Sequence, residues 1–506
     1  MTAGDEEAPA RTFGSVLKRG AAMAAAGTVV VQTVTIVQTL VLGRLLGPEE
    51  VGVYAAGTAM MGFLVVFTHG TLCQALIQRE HDVEDAANTV LVATFCTGLV
   101  MGLAVLAASP LIGAMFEDSR VGLVAAVSSG TIVLHACSSV PDALMQRAFK
   151  FERRIVIDPV VGVTFAVVSI AFGAQGFGAW AMVIGSYASI VVWVVMSWWL
   201  ARWRPFRGRI SFRIWREMAG FSLPLLVDGL VVRGREFLEL VLIGRALDTA
   251  ALGNYRYGYR IAMMPVTAVV QVCSYVLFPA FSRIYGDRDR FRGAFLRALG
   301  WIWLAAVPIA ALMVAVGEPL VVLLLGEPWR GAGVAVATMP GLGLGAAMNS
   351  VTAEAMKGAG RSSRLLWMTA VGVVVGLPLL VVLLRFGLAG VGLAISIGYL
   401  AAGFVGLALA RRVVDVSISD IVACMAPSTI AAAVALAVIA PFEHLVLQSD
   451  QYSAPVGLAL IALDCTGFLL IFVAVLRLTS PVMYGSLLNA CRRMVTQAAA
   501  LIRPGR

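Results

Sequence analysis

Charge is the scarcest property of this chain. Of its 506 residues, 13% are Asp, Glu, Lys or Arg, about half the share found in ordinary soluble domains. Histidine is nearly missing, at 4 residues, and the 7 cysteines form no CxxC pair and no His/Cys ligand spacing. Neither a structural zinc site nor a disulfide framework is therefore expected. Cys73, Cys96, Cys137, Cys273, Cys424, Cys465 and Cys491 lie in apolar segments or in the tail, and they read as small buried hydrophobes. Hydrophobic residues make up 60% of the chain, more than one or two water-bounded cores of this size could hide.

What stands in place of charge is a succession of apolar runs of about 20 residues or more, each able to cross ~30 Å of hydrocarbon. The chain is expected to be an all-α polytopic membrane protein with about fourteen transmembrane helices. They fall near 20–43, 51–78, 87–115, 121–146, 155–174, 177–201, 218–246, 250–282, 294–325, 331–356, 365–385, 388–410, 418–441 and 454–476. Before the first comes an acidic, Ala-rich opening, "MTAGDEEAPA", then Arg11, Lys18 and Arg19. No small-residue cleavage site follows a short apolar core, so that helix is expected to be retained rather than removed as a signal peptide.

Lys and Arg set the orientation. With the N-terminus in the cytoplasm, the cytoplasmic connections hold Arg147, Lys150, Arg153 and Arg154, then Arg202, Arg204, Arg207, Arg209, Arg213 and Arg216, then Arg283, Arg288, Arg290, Arg292 and Arg297. Lys357, Arg361, Arg364, Arg411 and Arg412 follow, and the tail adds Arg492, Arg493, Arg503 and Arg506. The opposite side has only Arg44, Arg120, Arg245, Arg330 and Arg385; "REHDVED" at 79–85 is mixed. Both termini are thus expected in the cytoplasm. The net charge of +9 belongs to topology and to anionic membrane lipid rather than to nucleic acid. "RWRPFRGRISFRIWRE" at 202–217 suits a segment at headgroup level.

One pattern occurs twice. "LVLGRLLGPEEVGVYA" at 40–55 and "LVLIGRALDTAALGNYRY" at 240–257 align Gly43, Arg44, Leu46, Gly52 and Tyr54 with Gly244, Arg245, Leu247, Gly253 and Tyr255. Each joins a helix leaving on the outer side to the next one returning. "MQRAFKFERR" echoes "MKGAGRSSR", and "GFGAWAMVIG" echoes "GVGLAISIG", at slowly growing offsets. The expected plan is two six-helix bundles in parallel repeat, with two further helices at the C-terminal end. In residues, it comprises an N-terminal cytoplasmic segment 1–19, a first lobe 20–203, a basic linker 204–217, a second lobe 218–412, the extra helix pair 413–478 and a basic tail 479–506. Two parallel bundles that enclose a cavity between them suit an alternating-access transporter.

Charge inside a span is costly and marks function or pairing. The seventh helix carries Asp228, Arg233, Arg235, Glu236 and Glu239, and the eighth carries Arg256 and Arg260 beside Tyr255 and Tyr259. At 1.5 Å per residue, Arg260 lies ~15 Å and Arg235 ~18 Å from the outer ends of their helices, near mid-membrane. Two readings stay open. Glu236 and Glu239 can pair with Arg256 and Arg260 and lock the hairpin, or the surplus Arg can grip a phosphate bidentately. The candidate substrate-binding set is Arg233, Arg235, Glu239, Arg256, Tyr259 and Arg260. Asp228, Glu236, Gln32, His69 and His135 are candidate coupling or cavity groups. Thr35, Thr39, Thr68, Thr71, Gln74, Ser138, Ser139 and Asp142 either line a sugar-sized cavity or bond between helices. Asn349, Glu354 and Asp464 are isolated polar residues; Glu239 or Asp464 could carry a coupling proton, with nothing in the sequence to choose between them.

These residues also carry a resemblance. "VLGRLLGPEEVGVYA" followed by "HGTLCQALIQRE", and "EFLELVLIGRALDTAALGNYRYGYRIAMMP" followed by "LFPAFSRI", resemble Wzx-type oligosaccharide flippases. These form the polysaccharide-transporter branch of the multidrug/oligosaccharidyl-lipid/polysaccharide exporter superfamily. The likeness runs through most of 15–410. Where the family has Asp five residues before the Gly of its Ile-Gly, this chain has Glu239, and the family's Tyr-Arg before Pro is Tyr259-Arg260. The resemblance implies a flippase for polyprenyl-pyrophosphate-linked oligosaccharide in a bacterial plasma membrane, serving O-antigen, capsule or exopolysaccharide synthesis. A polymerase and chain-length proteins are implied as partners, with H+ or Na+ coupling left open and no cofactor. A lipid II-type flippase and a multidrug exporter of the same superfamily are the alternatives. An enzyme is not expected, because the longest outer connection, "PFEHLVLQSDQYS" at 441–453, is too short to carry a catalytic apparatus.

Overall fold

The structure, a computed structural model, describes residues 9–69, 71–147, 156–489 and 492. Among the described residues all regular structure is helical. In chain order the α-helices are α1 Pro9–His69, α2 Thr71–Gln78, α3 Val83–Met115, α4 Ser119–Ser128, α5 Gly130–Arg147, α6 Ile157–Gly173, α7 Ala179–Ala201 and α8 Phe212–Ala246. They continue as α9 Thr249–Ile284, α10 Arg288–Leu325, α11 Arg330–Thr338, α12 Pro340–Gly358, α13 Leu365–Leu383, α14 Gly387–Val414, α15 Ile418–Phe442 and α16 Ala454–Thr479. The chain divides into two compact units, Met1–Gly253 and Asn254–Arg506.

By length and apolarity, eight of the described helical stretches can cross a membrane, or up to nine if the bent pair Glu327–Thr338 and Pro340–Gly358 is one span. The sequence led us to expect fourteen. Part of the difference is that Leu365–Val414 counts there as one stretch, although it folds back on itself. Its two halves meet through glycine: a Cβ on Gly398 would lie 3.0 Å from the Gly376 Cα. The helix α8, with five charges between Asp228 and Glu239, is not among the eight. Val374, Val381, Leu103, Leu470 and Trp199 are exposed, as befits side chains that meet lipid rather than water. Lipid tails are as apolar as Leu, so helices in a bilayer associate through close packing rather than hydrophobic exclusion.

Two runs depart from their expected form, while the break in α1 falls between the expected helices 20–43 and 51–78. Helix α1 is broken at Gly47, whose φ of 70° and ψ of 167° lie outside the helical region. Glycine reaches that conformation without a Cβ clash, and Pro48 follows it without an N–H to lose. The run expected as one helix at 121–146 is one span-length stretch with a one-residue interruption at Ser129 between α4 and α5, and the run at 331–356 is two helices, α11 and α12, bent by 43°. Pro340 explains the second break, since it removes a donor and bars its predecessor from helical geometry. At the first, a Cβ on Gly130 would come within 2.5 Å of the Tyr187 hydroxyl, and that hydroxyl donates to the Val127 carbonyl. The two breaks sit about 210 residues apart in sequence, at the same place in the repeat.

The repeated hairpins explain their own glycines. A Cβ on Gly52 would sit 1.6 Å from the Thr249 carbonyl oxygen, and one on Gly253 would sit 1.9 Å from that of Pro48. The two residues in register between the copies thus face each other, backbone to backbone. No side chain fits at either position.

In the second unit, Phe295, Leu299, Trp303 and Val307 of α10 share one core with Met348 and Val351 of α12 and with Ala431, Ala435, Phe468, Phe472 and Leu476 of α15 and α16. In the first, Leu76, Ala87, Val90, Val140, Ile214 and Met218 form a core at the end of α2, α3, α5 and α8.

Candidate functional site

Helix α8 is fixed on the second half of α1 by close packing. The Phe63 and Phe237 rings stack with centroids 5.8 Å apart, and a Cβ on Gly229 would come within 2.9 Å of the Val66 side chain. The charged residues then pair along the helix. Arg235 Nε lies 3.1 Å from Glu239 Oε1, with side chains 17% and 9% exposed. Arg233 Nη1 donates to Glu236 Oε2 at 2.7 Å, with side chains 48% and 42% exposed. Arg235–Glu239 is the buried pair, and breaking a buried pair by removing one partner costs about 3–5 kcal/mol. The exposed Arg233–Glu236 pair contributes little.

Helix α9 begins by docking on α11. The Asn254 side-chain oxygen accepts the Ala332 N–H at 2.8 Å, Tyr257 stacks on Trp329 with centroids 4.2 Å apart, and a Cβ on Gly258 would meet the Ala332 carbonyl at 2.9 Å. That commits the face of Asn254, Tyr257 and Gly258 to packing, and Arg256 is left exposed. Tyr259 Oη lies 3.2 Å from Tyr399 Oη of α14, and its ring tilts against Tyr255 at 6.0 Å. Arg260 is half-buried. Among the described residues Arg256 enters no ion pair.

The remaining candidates scatter. Gln32 is half-buried in α1, and the His135 ring meets Trp193 edge-on at 5.2 Å. The side chains of His69 and Asp228 lie outside the described residues. Most of the smaller polar groups bond within their own helix: Thr39 to the Thr35 carbonyl at 2.6 Å, Ser138 to His135 at 3.0 Å and Ser139 to Ala136 at 2.8 Å. Asp142 accepts from Gln146 at 3.1 Å, and Glu354 pairs with Lys357 at 2.9 Å.

Sequence reading passed over two clusters at the ends expected outside. Arg120, at the start of α4, reaches Glu49 at 2.5 Å, Asp118 at 2.9 Å and Glu50 at 3.3 Å. Arg330, at the start of α11, reaches Glu327 at 2.6 Å and both Glu318 and Asp450 at 2.7 Å. The two arginines are about 210 residues apart, again in repeat register. Donating hydrogen bonds to these carboxylates pushes both guanidiniums to still higher pKa, with Asp118 foremost for Arg120 and Glu327 foremost for Arg330. In return the Arg330 hydrogen bond holds the Glu327 carboxyl below its ordinary range. The legible sign was the shared spacing of "EDSR" and "EPWR". At the other end of the first unit, Arg79 and Glu217 pair at 3.3 Å beside a cavity of about 240 Å³ lined also by Gln78 and Phe221.

A family model described as polysaccharide biosynthesis protein matches residues 41–333, more than half of the chain. The succinoglycan biosynthesis transport protein ExoT of Rhizobium meliloti (strain 1021) is 24% identical over 335 residues, which are 65% of this chain and 66% of that protein. The lipopolysaccharide biosynthesis protein WzxC of Escherichia coli (strain K12) is 23% identical over 62% of this chain and 63% of its own length. The teichuronic acid biosynthesis protein TuaB of Bacillus subtilis (strain 168) is 23% identical over 62% of this chain and 65% of its own. The chain thus spans slightly under two thirds of the curated relatives it matches. In fold it is similar to the lipid II flippase MurJ in an inward closed conformation, with a TM-score of 0.72 at 14% identity over 92% of this chain and 99% of that one. It is also similar to an inward-facing multidrug resistance MATE family transporter of the MOP superfamily, with a TM-score of 0.61 at 18% identity over 76% of this chain and 94% of that one.

Proposed function

The chain belongs to the polysaccharide biosynthesis protein family, and from that premise we propose that it is a flippase acting by alternating access. Its substrate would be polyprenyl-pyrophosphate-linked oligosaccharide, moved from the inner to the outer leaflet of a bacterial plasma membrane to feed surface polysaccharide synthesis. A polymerase and chain-length proteins would take up the product. Both termini lie in the cytoplasm in this reading, on the side of the basic connections.

The observation that carries it is the charge balance of α8 and α9. Glu236 and Glu239 are each matched by an arginine of their own helix. Counted along the sequence, Arg233, Arg235, Arg256 and Arg260 outnumber Asp228, Glu236 and Glu239 by one. A guanidinium binds a phosphate oxygen pair through two parallel N–H donors, and a pyrophosphate offers several such pairs. Tyr259 supplies a hydroxyl beside them and an aromatic face for a sugar. No group here is asked to break a bond, and the reading assigns the chain no catalytic residue.

The test is transport. In proteoliposomes holding the labelled polyprenyl-pyrophosphate oligosaccharide, Arg260→Ala and Arg256→Ala should each lower the apparent affinity about 10- to 100-fold, the effect of losing one charge-assisted contact of ~1.5–3 kcal/mol. In cells, Arg260→Ala should abolish surface glycan at unchanged protein level, and Arg235→Ala should abolish it while also lowering protein level, because it breaks the buried Arg235–Glu239 pair. Normal glycan in both variants would overturn the anion site, and equal transport of lipid II would overturn the substrate class.

A further inference from the structure

Helices α15 and α16 bring together two carboxyl groups that the transport reading does not use. Glu443 lies in the π-turn Glu443–Leu447 just past α15, and Asp464 lies ten residues, ~15 Å, along α16 from its start. Each is 1% exposed. Ser449 holds the Glu443 carboxylate: its N–H donates to Oε1 at 2.9 Å and its hydroxyl donates to Oε2 at 2.7 Å. Antiparallel packing of α15 on α16, in which a Cβ on Gly467 would lie 3.4 Å from the Ile439 side chain, puts Asp464 level with the Glu443 carboxyl, and neither oxygen of Asp464 finds a donor among the described residues.

Two neighbouring carboxylates, each 1% exposed, repel one another, and burial adds to the cost of the second charge. One proton resolves the conflict by turning repulsion into an O–H···O⁻ hydrogen bond. Ser449 already gives Glu443 the two donors that suit an anion, so the proton belongs on Asp464, which then donates to Glu443. The neighbouring charges favour its uptake. Helix α10 contributes Glu318, the segment before α11 contributes Glu327, α11 contributes Arg330, and the connection to α16 contributes His444, which is exposed, and Asp450. Arg330 already serves Glu318, Glu327 and Asp450, so this guanidinium of the cavity wall is outnumbered by acids before Glu443 is counted. Glu443 also lines a cavity of about 190 Å³ with Glu318, Arg330, His444, Asp450 and Gln451. That volume holds several waters at ~30 Å³ each.

We propose that Glu443 and Asp464 form a proton-binding site, with one proton shared between the two carboxyls and exchanged with water through this cavity. On release the proton passes from the Asp464 carboxyl to a cavity water, leaving two carboxylates and a hydronium, with no other bond changed. The site belongs to the C-terminal helix pair and stands whether or not the substrate is a lipid-linked oligosaccharide.

Infrared difference spectroscopy of the full-length protein in lipid nanodiscs tests it directly. Stepping the pH upward should remove one protonated-carboxyl band from the wild type and add one carboxylate band. Asp464→Asn should lose both changes. Glu443→Gln should move the step to lower pH, because its neutral amide no longer repels the Asp464 anion. Identical difference spectra for wild type and Asp464→Asn would overturn the proposal. So would a band that disappears on adding sodium at constant pH, since the ligand would then be a metal cation. Thermal melting gives a second readout that needs no spectral assignment. Ionising the pair sets two like charges in contact only in the folded state, so the wild-type melting temperature should fall more steeply with rising pH than that of Asp464→Asn. Parallel curves would count against the site.

Discussion

Gly52 and Gly253 show how far single residues can be read. Their recurrence marked a duplication, and the sequence placed both at the start of a returning helix. That they face each other is a fact of packing: a Cβ on Gly52 would overlap the Thr249 carbonyl at 1.6 Å. We expect Gly52→Ala to cost at least the ~1–3 kcal/mol typical of overpacking, since a backbone carbonyl cannot swing away as a side chain can. Gly62→Ala, on the same helix with nothing within 4 Å of its Cβ, should be neutral or slightly stabilising. Thermal melting in detergent compares them, and equal melting temperatures would refute the contact. The acids of α8 teach a related lesson. Glu239 was visible as a costly charge in a span, but choosing between a partner on its own helix and one on the next needed coordinates, since i to i+4 spacing permits a pair without requiring one.

Elements were legible where composition changes sharply and less so where a helix merely bends. Each expected run lies on helix, yet α4–α5 is interrupted at Ser129 and α11–α12 bends where one helix was expected. Gly130 by itself is a weak breaker; Tyr187 beside it and the freed Val127 carbonyl make the break. The basic segment between α7 and α8 shows the reverse case. Its composition announced a headgroup-level connection, but its shape comes from α3. Asn88 accepts the Phe206 N–H at 2.8 Å, Asp85 accepts that of Arg209 at 2.7 Å, and Thr89 accepts that of Ser211 at 3.1 Å. Gly208 lies against the same turn, where a Cβ would meet the Asp85 backbone nitrogen at 2.8 Å. With its backbone clipped, the segment leaves Arg202, Arg204, Arg207, Arg209, Arg213 and Arg216 exposed. Replacing Asp85 and Asn88 together by Ala removes two hydrogen bonds of ~0.5–1.5 kcal/mol each, so tryptic cleavage after Arg207 or Arg209 should quicken about tenfold or more. Unchanged cleavage would mean the clip does not govern the segment.

At the scale of the whole molecule, the last two helices are part of the second unit's core rather than a detachable addition to it. Phe468, Phe472 and Leu476 are buried with Phe295, Leu299 and Trp303, and the Trp303 indole N–H donates to the Thr429 hydroxyl at 2.9 Å. A chain ended after Arg412 should therefore lose its monodisperse peak in size-exclusion chromatography; a well-behaved truncated protein would show that α10 can close its core without them. The sequence by itself determined the solvent, the helical class and the duplication. Each of these follows from an average or a period over many residues, and neighbours in sequence suffice to reveal it. Only the tertiary structure decided which glycines meet, which arginine each acid takes, and that Glu443 and Asp464 touch. Such contacts join residues from different elements at distances of a few ångströms, where a shift of one residue along a helix turns a side chain by about 100° and breaks the pair.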